Sequence, residues 1–308
     1  SSVSAGNLTY LWRFGNGIND TLAQPTYTYP STGTYTVVLE VNSNAGCSDT
    51  ATQQVRVFEQ PQADFSFSDI CLNYTAAFTD LATNTGTSPV YDWQFGDGNS
   101  AVVSQPQHVY NASGSFSVTM QVTTAQGCSD SESKFIQVHA NPTAAFSAAD
   151  ICLGSDADFQ NQTSLTAGSA TYNWDFGDGQ SSSQTSPQYQ YLAAGIFGVT
   201  LTAVSPFGCT DSVQDTIEVF DNTTAGTILG TDSVCITSNS GTVALNGNVG
   251  SPVYWESSLT GGAPWNTINS TSDSVPYSQL TATTWYRAVV QNGVCGRDTS
   301  APAEINVS

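Results

Sequence analysis

The feature that most constrains this chain is a repeat with a period of about 81 residues, which is long enough for one small domain. The motif Tyr-x-Trp-x-Phe-Gly-x-Gly begins at Tyr10, at Tyr91 and at Tyr172. The cysteines follow the same period of 81 residues. One series is Cys47, Cys128 and Cys209, and a second pair with this spacing is Cys71 and Cys152. Such a period predicts an array of similar modules, which argues against a single buried active site.

The charge and composition exclude several classes of partner. The chain has 308 residues, 25 acidic and 5 basic, and a net charge of −20. A phosphate backbone or an anionic membrane needs a basic face, so we expect no nucleic-acid partner. No apolar run approaches the roughly 20 residues that span a bilayer, so we expect no membrane insertion. Only 10% of the residues are charged, which suits a secreted or surface-displayed protein.

The local patterns predict strands and turns and no helix. Residues 90–95 alternate between apolar and polar side chains, and so do residues 115–123. Asp97-Gly98, between them, is a strong hairpin signal because such turns need positive φ. About seven short strands in eighty residues predict a two-sheet β-sandwich, and the chain is predicted to be all-β.

The period divides the chain into four modules. We place module 1 at residues 1–60, module 2 at 61–141, module 3 at 142–221 and module 4 at 222–308. Module 1 starts in mid-repeat, since its first cysteine would precede Ser1. We therefore expect that the chain is a piece of something longer.

The cysteine spacing predicts one disulfide in each module. Equal separations of about 57 residues favour Cys71–Cys128 and Cys152–Cys209, and a similar separation favours Cys235–Cys295. Cys47 then lacks a partner, which we expect to lie upstream. Repeated pairs of this kind indicate an oxidising, extracytoplasmic compartment.

The repeated motif carries a specific resemblance. Tyr-x-Trp-Asp-Phe-Gly-Asp-Gly, followed by the strand Gly195-Ile-Phe-Gly-Val-Thr-Leu201, resembles the polycystic-kidney-disease (PKD) domain. The resemblance covers about residues 1–220 in three copies, of which the first is truncated. It implies immunoglobulin-like sandwiches in an extracellular protein, and hence a linear array of such domains.

Module 4 departs from this motif. It lacks Phe-Gly-Asp-Gly but keeps a cysteine pair, Tyr254-Trp255 and Asn292-Gly-Val-Cys295. These features are similar to the immunoglobulin-like modules of large Bacteroidota surface proteins. Together with the PKD copies, they resemble repeat regions of giant adhesins, including those of gliding motility.

The candidates for chemistry are few. His108 and His139 stand where the other copies carry Tyr or Phe, so we expect a packing role for both and no catalytic triad. Asp97 and Asp178 either shape their turns or offer oxygen ligands to Ca²⁺, together with loop acids such as Asp69, Asp130, Asp150 and Asp211. Asn16 replaces the acid in module 1, which argues against a shared metal role. Calcium is the only cofactor candidate, and we predict that the chain is not an enzyme.

One short pattern predicts modification. Asp, then Ser or Thr, then an aliphatic residue or Ala resembles the O-glycosylation sequon of Bacteroidota secreted proteins. The pattern marks six hydroxyl residues: Thr21, Thr50, Ser212, Thr216, Ser233 and Ser274.

Three functions follow as hypotheses. The first is a non-catalytic stalk segment of a large extracellular, cell-surface adhesin. The second is a set of accessory domains that position substrate for a secreted polysaccharide- or protein-degrading enzyme. The third is a subunit of a surface filament or sheath. The expected partners are neighbouring repeats of the same chain and a surface polysaccharide or a host or substratum surface.

Overall fold

The computed structural model describes residues 8–308, and every regular element in that range is a β-strand. The all-β prediction is confirmed. The chain forms two compact units, which divide after Ala140. No helix capable of crossing a lipid bilayer occurs between residues 8 and 308.

Module 1 contributes one sheet to the described part of the chain. Its four strands pair in the antiparallel order β2-β1-β3-β4. Their bounds are β1 Leu8–Arg13, β2 Asn19–Asp20, β3 Gly33–Ser43 and β4 Ser48–Val57. One face of this sheet forms an open groove of about 350 Å³ that Trp12, Val37, Leu39 and Val55 help to line.

Module 2 is a two-sheet sandwich of nine strands. Their bounds are β5 Phe65–Ser66, β6 Ile70–Cys71, β7 Thr75–Ala77, β8 Thr79–Asp80, β9 Val90–Gln94, β10 Ser100–Ala101, β11 Gln107–Val109, β12 Gly114–Thr123 and β13 Ser129–His139. One sheet has the order β10-β9-β12-β13-β6, in which β6 runs parallel to β13. The pairs β11-β7 and β5-β8 form the opposite layer.

Module 3 repeats this arrangement strand for strand. Its bounds are β14 Phe146–Ser147, β15 Ile151–Cys152, β16 Asp156–Asp158, β17 Gln160–Asn161, β18 Thr171–Asp175, β19 Ser181–Ser182, β20 Gln188–Gln190, β21 Gly195–Val204 and β22 Thr210–Phe220. The main sheet is β15-β22-β21-β18-β19, again with a parallel strand, β15, at the edge.

Module 4 keeps the two-layer plan with its own lengths. Its bounds are β23 Thr227–Leu229, β24 Asp232–Val234, β25 Ser240–Asn246, β26 Ser251–Ser258, β27 Asn266–Ile268, β28 Ser274–Ser278, β29 Thr284–Gln291, β30 Asp298–Thr299 and β31 Ala303–Val307. One sheet is β23-β25-β28, and the other is β24-β31-β29-β26-β27 with β30 beside β29. Strand β24 is parallel to β31.

A buried tryptophan centres each of modules 2 to 4. Trp93, Trp174 and Trp255 are fully buried, which the alternating pattern around the motif predicts for the first two. Each indole Nε1 donates to a backbone carbonyl at 2.9 to 3.0 Å, so its polar atom is satisfied. Phe65 and Phe78 pack against Trp93 from the opposite layer. Burying one such ring stabilises a module by roughly 2–3 kcal/mol.

Candidate functional site: the aspartate turn and the module junction

The Phe-Gly-Asp-Gly motif forms a five-residue turn between the central strand and its short partner. In module 2 the Phe95 N–H donates to the Asn99 carbonyl at 3.0 Å, and Asp97 Oδ1 accepts from the Asn99 N–H at 3.1 Å. Gly96 has a φ of +82°, and a Cβ there would lie 2.6 Å from the Ser117 carbonyl oxygen. The glycine is therefore needed both for its φ and for its close approach to β12.

The other polar side-chain atom of the turn residue forms a hydrogen bond with a side chain eleven residues further along the chain. Asp97 Oδ2 lies 2.7 Å from His108 Nε2, and Asp178 Oδ2 accepts from the Tyr189 hydroxyl at 2.6 Å. In module 1 the donor is reversed, since Asn16 Nδ2 donates to the Tyr27 hydroxyl at 2.7 Å. The turn residue and its partner thus recur as a hydrogen-bonded pair in all three copies.

The same partner residue stacks on the phenylalanine of the motif. The ring centroids of Phe95 and His108 are 4.3 Å apart and the two ring planes are nearly parallel, and the centroids of the equivalent Phe176 and Tyr189 rings are 4.1 Å apart. The next aromatic residue, Tyr110, donates its hydroxyl to the Phe95 carbonyl at 3.0 Å. The predicted packing role of His108 is confirmed.

Two tyrosines whose hydroxyls are hydrogen-bonded to carboxylates have raised pKa values. Burial, together with the hydrogen bond to Asp178, raises the pKa of Tyr189 to about 12. Burial and a 2.5 Å hydrogen bond to Asp80 do the same for the pKa of Tyr91. Burial alone would raise the pKa of Asp97, but the hydrogen bonds from His108 and Asn99 outweigh it and leave the pKa lowered.

The loop acids act on backbone amides. Asp130 Oδ2 accepts from the Ala63 N–H at 2.9 Å, and Asp211 Oδ2 accepts from the Ala144 N–H at 2.8 Å. In module 4, Asp298 holds the Ala225 N–H in the same way at 2.9 Å. Asp130 and Asp211, each two residues after a cysteine, therefore fasten the opening segment of their own module to its last strand.

The other two loop acids accept hydrogen bonds from backbone N–H groups of the last strand. Asp69 Oδ1 accepts from the Gln137 N–H at 2.8 Å, and Asp150 Oδ1 accepts from the Glu218 N–H at 2.8 Å. Across residues 8–308, no three His, Cys, Asp or Glu side chains converge as a metal ligand set. The calcium hypothesis for Asp97 and Asp178 stays a prediction, which calorimetric titration with calcium tests.

The predicted disulfides inside the modules are wrong. Cys152 is bonded to Cys295, 143 residues away, with a Cα–Cα distance of 5.5 Å. This bond joins module 3 to module 4, so neither Cys152–Cys209 nor Cys235–Cys295 forms. Cys128 is a free thiol, which excludes Cys71–Cys128, although Cys71 and Cys209 are themselves disulfide-bonded. Cys47 and Cys235 are exposed free thiols.

The geometry of the last strand explains the error. Cys152 lies beside Phe220, at the end of β22, whereas Cys209 directly precedes Thr210, at its beginning. Eleven strand residues at about 3.3 Å each separate these two ends by roughly 35 Å. A disulfide needs Cα atoms within about 7 Å, so the two cysteines of one module cannot meet.

Backbone and side-chain contacts surround the bond at the junction of modules 3 and 4. Asn292 Nδ2 donates to the Asp221 carbonyl at 2.8 Å, and the Asn292 N–H donates to Thr223 Oγ1 at 3.0 Å. The Phe220 ring lies against Gly293, where any Cβ would overlap it. The loop of residues 292–295 is therefore docked on the segment that connects the two modules.

The predicted glycosylation residues differ in exposure. Ser274 is half-buried in β28, whereas the other five are exposed: Thr21, Thr50, Ser212, Thr216 and Ser233. Thr50, Thr216 and Ser233 each follow an aspartate whose Oδ1 accepts their backbone N–H. Exposure makes these hydroxyls accessible, and their modification stays a prediction.

Comparison with known proteins agrees with this architecture. The sequence profile described as "PKD domain" matches residues 1–57, 58–138 and 139–220, and one described as a domain of unknown function matches residues 224–308. The pre-pro-metalloprotease PrtV of Vibrio cholerae is 48% identical over 58 residues, which are 18% of this chain and 6% of PrtV. The collagenase ColA of Bacillus cereus is 39% identical over 62 residues, which are 20% of this chain and 6% of ColA.

Solved structures agree on the fold. The N-terminal eight immunoglobulin domains of Down Syndrome Cell Adhesion Molecule align with a TM-score of 0.52 at 12% identity, covering 98% of this chain and 45% of that one. The chain spans only about 6% of the length of the two curated relatives named above. Disulfides and PKD domains are typical of extracellular or secreted proteins. Because the family profile covers three consecutive modules, the chain belongs to the PKD domain family over residues 1–220.

Proposed function

We propose that this chain is a non-catalytic stalk segment of a large extracellular adhesin, which projects a binding site from the cell surface and carries mechanical load. The observation that supports this most is the Cys152–Cys295 bond, which ties successive modules covalently. A tie between modules serves a chain whose task is to hold its parts in series. PKD and immunoglobulin-like domains are generally non-catalytic modules.

The local chemistry fits the same proposal. The turn acids Asp97 and Asp178 are each engaged by a backbone amide and a side chain, and the loop acids Asp130 and Asp211 hold their own module together. These groups stabilise the modules. A role in gliding motility is a narrower form of the proposal.

A second function is favoured by the named relatives. PrtV is a metalloprotease and ColA a collagenase, and both share PKD sequence with this chain. The chain would then be an accessory region that positions substrate for a catalytic domain elsewhere in its parent. A filament or sheath subunit, with chains packed side by side, is the third candidate.

Antibody against the chain distinguishes these functions on the producing cells. The adhesin proposal predicts labelling of intact cells that brief protease treatment removes. It also predicts an antigen far larger than 308 residues on denaturing gels. Antigen that is found only in the medium and co-purifies with proteolytic or polysaccharide-degrading activity would support the accessory role and contradict the stalk. Regular labelled fibres in electron microscopy would support the filament.

The partners of a stalk are its own neighbouring repeats, and the adhesin as a whole would contact a surface polysaccharide or a host or substratum surface. Glycans at Thr21, Thr50, Ser212, Thr216, Ser233 or Ser274 would protect exposed strands from proteases. Intact-protein mass spectrometry of the native chain tests this part, since each glycan adds a discrete mass that Ser or Thr to Ala substitution removes.

A further inference from the structure

The two ends of the Cys152–Cys295 bond occupy special places along the chain. Cys152 ends β15, a short edge strand close to the start of module 3. Cys295 follows β29, and only β30 and β31 remain after it in module 4. In chain order, the bond therefore joins an early residue of module 3 to a late residue of module 4, although in space both lie at the junction of the two modules.

Everything between these two cysteines lies inside one covalent loop. The loop contains the buried core residues Trp174 and Trp255 and the long strands β21, β22, β26 and β29. It also contains the connecting segment of residues 221–223, on which Asn292 is docked. Tension that enters near Cys152 and leaves near Cys295 has a direct path through the sulfur–sulfur bond.

We infer that the Cys152–Cys295 disulfide diverts tension around the cores of modules 3 and 4. This inference rests on the proposed mechanical function, and it states which part of the chain carries the load. Pulling from positions that flank the bond stretches only the short segments outside the loop. The 143 residues inside it carry no tension and are therefore not extended, even where β31, which lies outside the loop, is pulled away from its partner β29.

The size of this effect is set by the loop length. A stretched chain spans at most about 3.3–3.6 Å per residue, so 143 residues hide roughly 500 Å of extensible length. The pairing that spacing alone favours, Cys152–Cys209, would enclose only about 57 residues, or about 200 Å, and would leave module 4 under load. The two pairings therefore predict very different lengths.

Single-molecule pulling of the full chain measures this length. One handle is attached through azidophenylalanine at Ala148, which lies in the exposed loop before β15, and the other is attached after Ser308. Neither handle is attached through a thiol, so the free thiols of Cys47, Cys128 and Cys235 do not react with the handles. The matched variant is C152S/C295S, with the other five cysteines unchanged.

The oxidised wild type should reach at most about 60 Å between the handles, because only about 17 residues lie outside the loop between them. The C152S/C295S variant should extend by roughly 500 Å more, with unfolding events from two modules. Equal extensible lengths in the two proteins would overturn the inference, and so would a wild type only about 200 Å shorter than the variant. If the variant does not fold, adding a phosphine reductant to the wild type in the same apparatus must release the same length of roughly 500 Å.

The outcome is independent of the cellular experiment. If the antigen is found only in the medium but the bond hides the predicted length, the adhesin proposal is rejected and the inference about tension stands. If intact cells are labelled but no length is hidden, the inference about tension is rejected and the adhesin proposal stands.

Discussion

Asp178 accepts a hydrogen bond from the Tyr189 hydroxyl at 2.6 Å and one from the Gln180 N–H at 3.1 Å, so one carboxylate closes a turn and holds the ring that stacks on Phe176. The equivalent pair is Asp97 with His108 in module 2 and Asn16 with Tyr27 in module 1. The motif therefore depends on the pair rather than on a recurring charge. This explains how an amide can replace the acid in the first copy.

Asp178→Ala should destabilise module 3 by about 1–3 kcal/mol, because it removes two hydrogen bonds. Asp178→Asn is the matched control, since Asn16 fills the same position in module 1. Hydrogen exchange of the amides in β18 and β21 reports on this module alone. Equal protection in the alanine variant and the wild type would show that the turn is held by the backbone.

Module 2 should lose stability in acid through Asp97. The pKa of Asp97 is lowered in the folded chain, so its contribution is complete above its unfolded value of 3.8 and is lost as the pH falls through the lower folded pKa. His108→Phe should raise the Asp97 pKa and reduce this acid-dependent loss. His108→Tyr should keep the hydrogen bond, as Tyr189 does with Asp178. Carboxyl carbon chemical shifts against pH measure the change, and identical shifts in all three proteins would reject the pairing.

Alkaline pH should act through Tyr91 and Tyr189. Both have a pKa raised to about 12 from the ordinary 10.0. Their contribution to stability is therefore complete below pH 10 and disappears as the pH rises from 10 to 12. Tyrosinate absorbance should show late-titrating groups, of which Tyr91→Phe and Tyr189→Phe each remove one. The prediction fails if every phenol of the folded chain ionises near pH 10.

Gly96→Ala should cost module 2 about 2 kcal/mol or more. The substitution forces a left-handed conformation on alanine and also places its Cβ 2.6 Å from the Ser117 carbonyl oxygen. Gly98→Ala separates the two effects, because Gly98 has a φ of +95° but no atom within 4 Å of the Cβ position. That control should cost about 1 kcal/mol. Chemical denaturation followed by exchange in β9 and β12 compares them, and equal costs would exclude the steric part.

Much of the fold could be predicted from the sequence because each module alternates clearly. The strands around Trp93 and from Gly114 to Thr123 follow the predicted pattern, since one face of each is buried in the core. The last strand of module 2 begins at Ser129, six residues before its apolar segment 135–138. Its first half carries Ser, Asp and Glu, whose partners come from backbone pairing with β12. Polar residues of this kind give no hydrophobic signal.

The cysteine pairing could not be predicted from spacing. Equal separations inside each module reflect the repeat itself and carry no information about which copies are joined. The deciding element is β15, two residues that pair in parallel with the far end of β22 and place Cys152 there. A strand of two residues is too short for a periodic pattern. The partner of the turn residue was equally hard to predict from the sequence. The only signal for it is that an aromatic residue or His recurs at one position of the repeat, as Tyr27, His108 and Tyr189.

The most direct test of the central claim is disulfide mapping of the native, alkylated protein by proteolysis and mass spectrometry without reduction. The structure predicts a linked pair of peptides that contain Cys152 and Cys295, and alkylation of Cys47, Cys128 and Cys235 before any reductant is added. Of the seven cysteines, three should thus react at once and four only after reduction. A peptide pair that joins Cys152 to Cys209, with Cys47 the single reactive thiol, would contradict the covalent tie between modules.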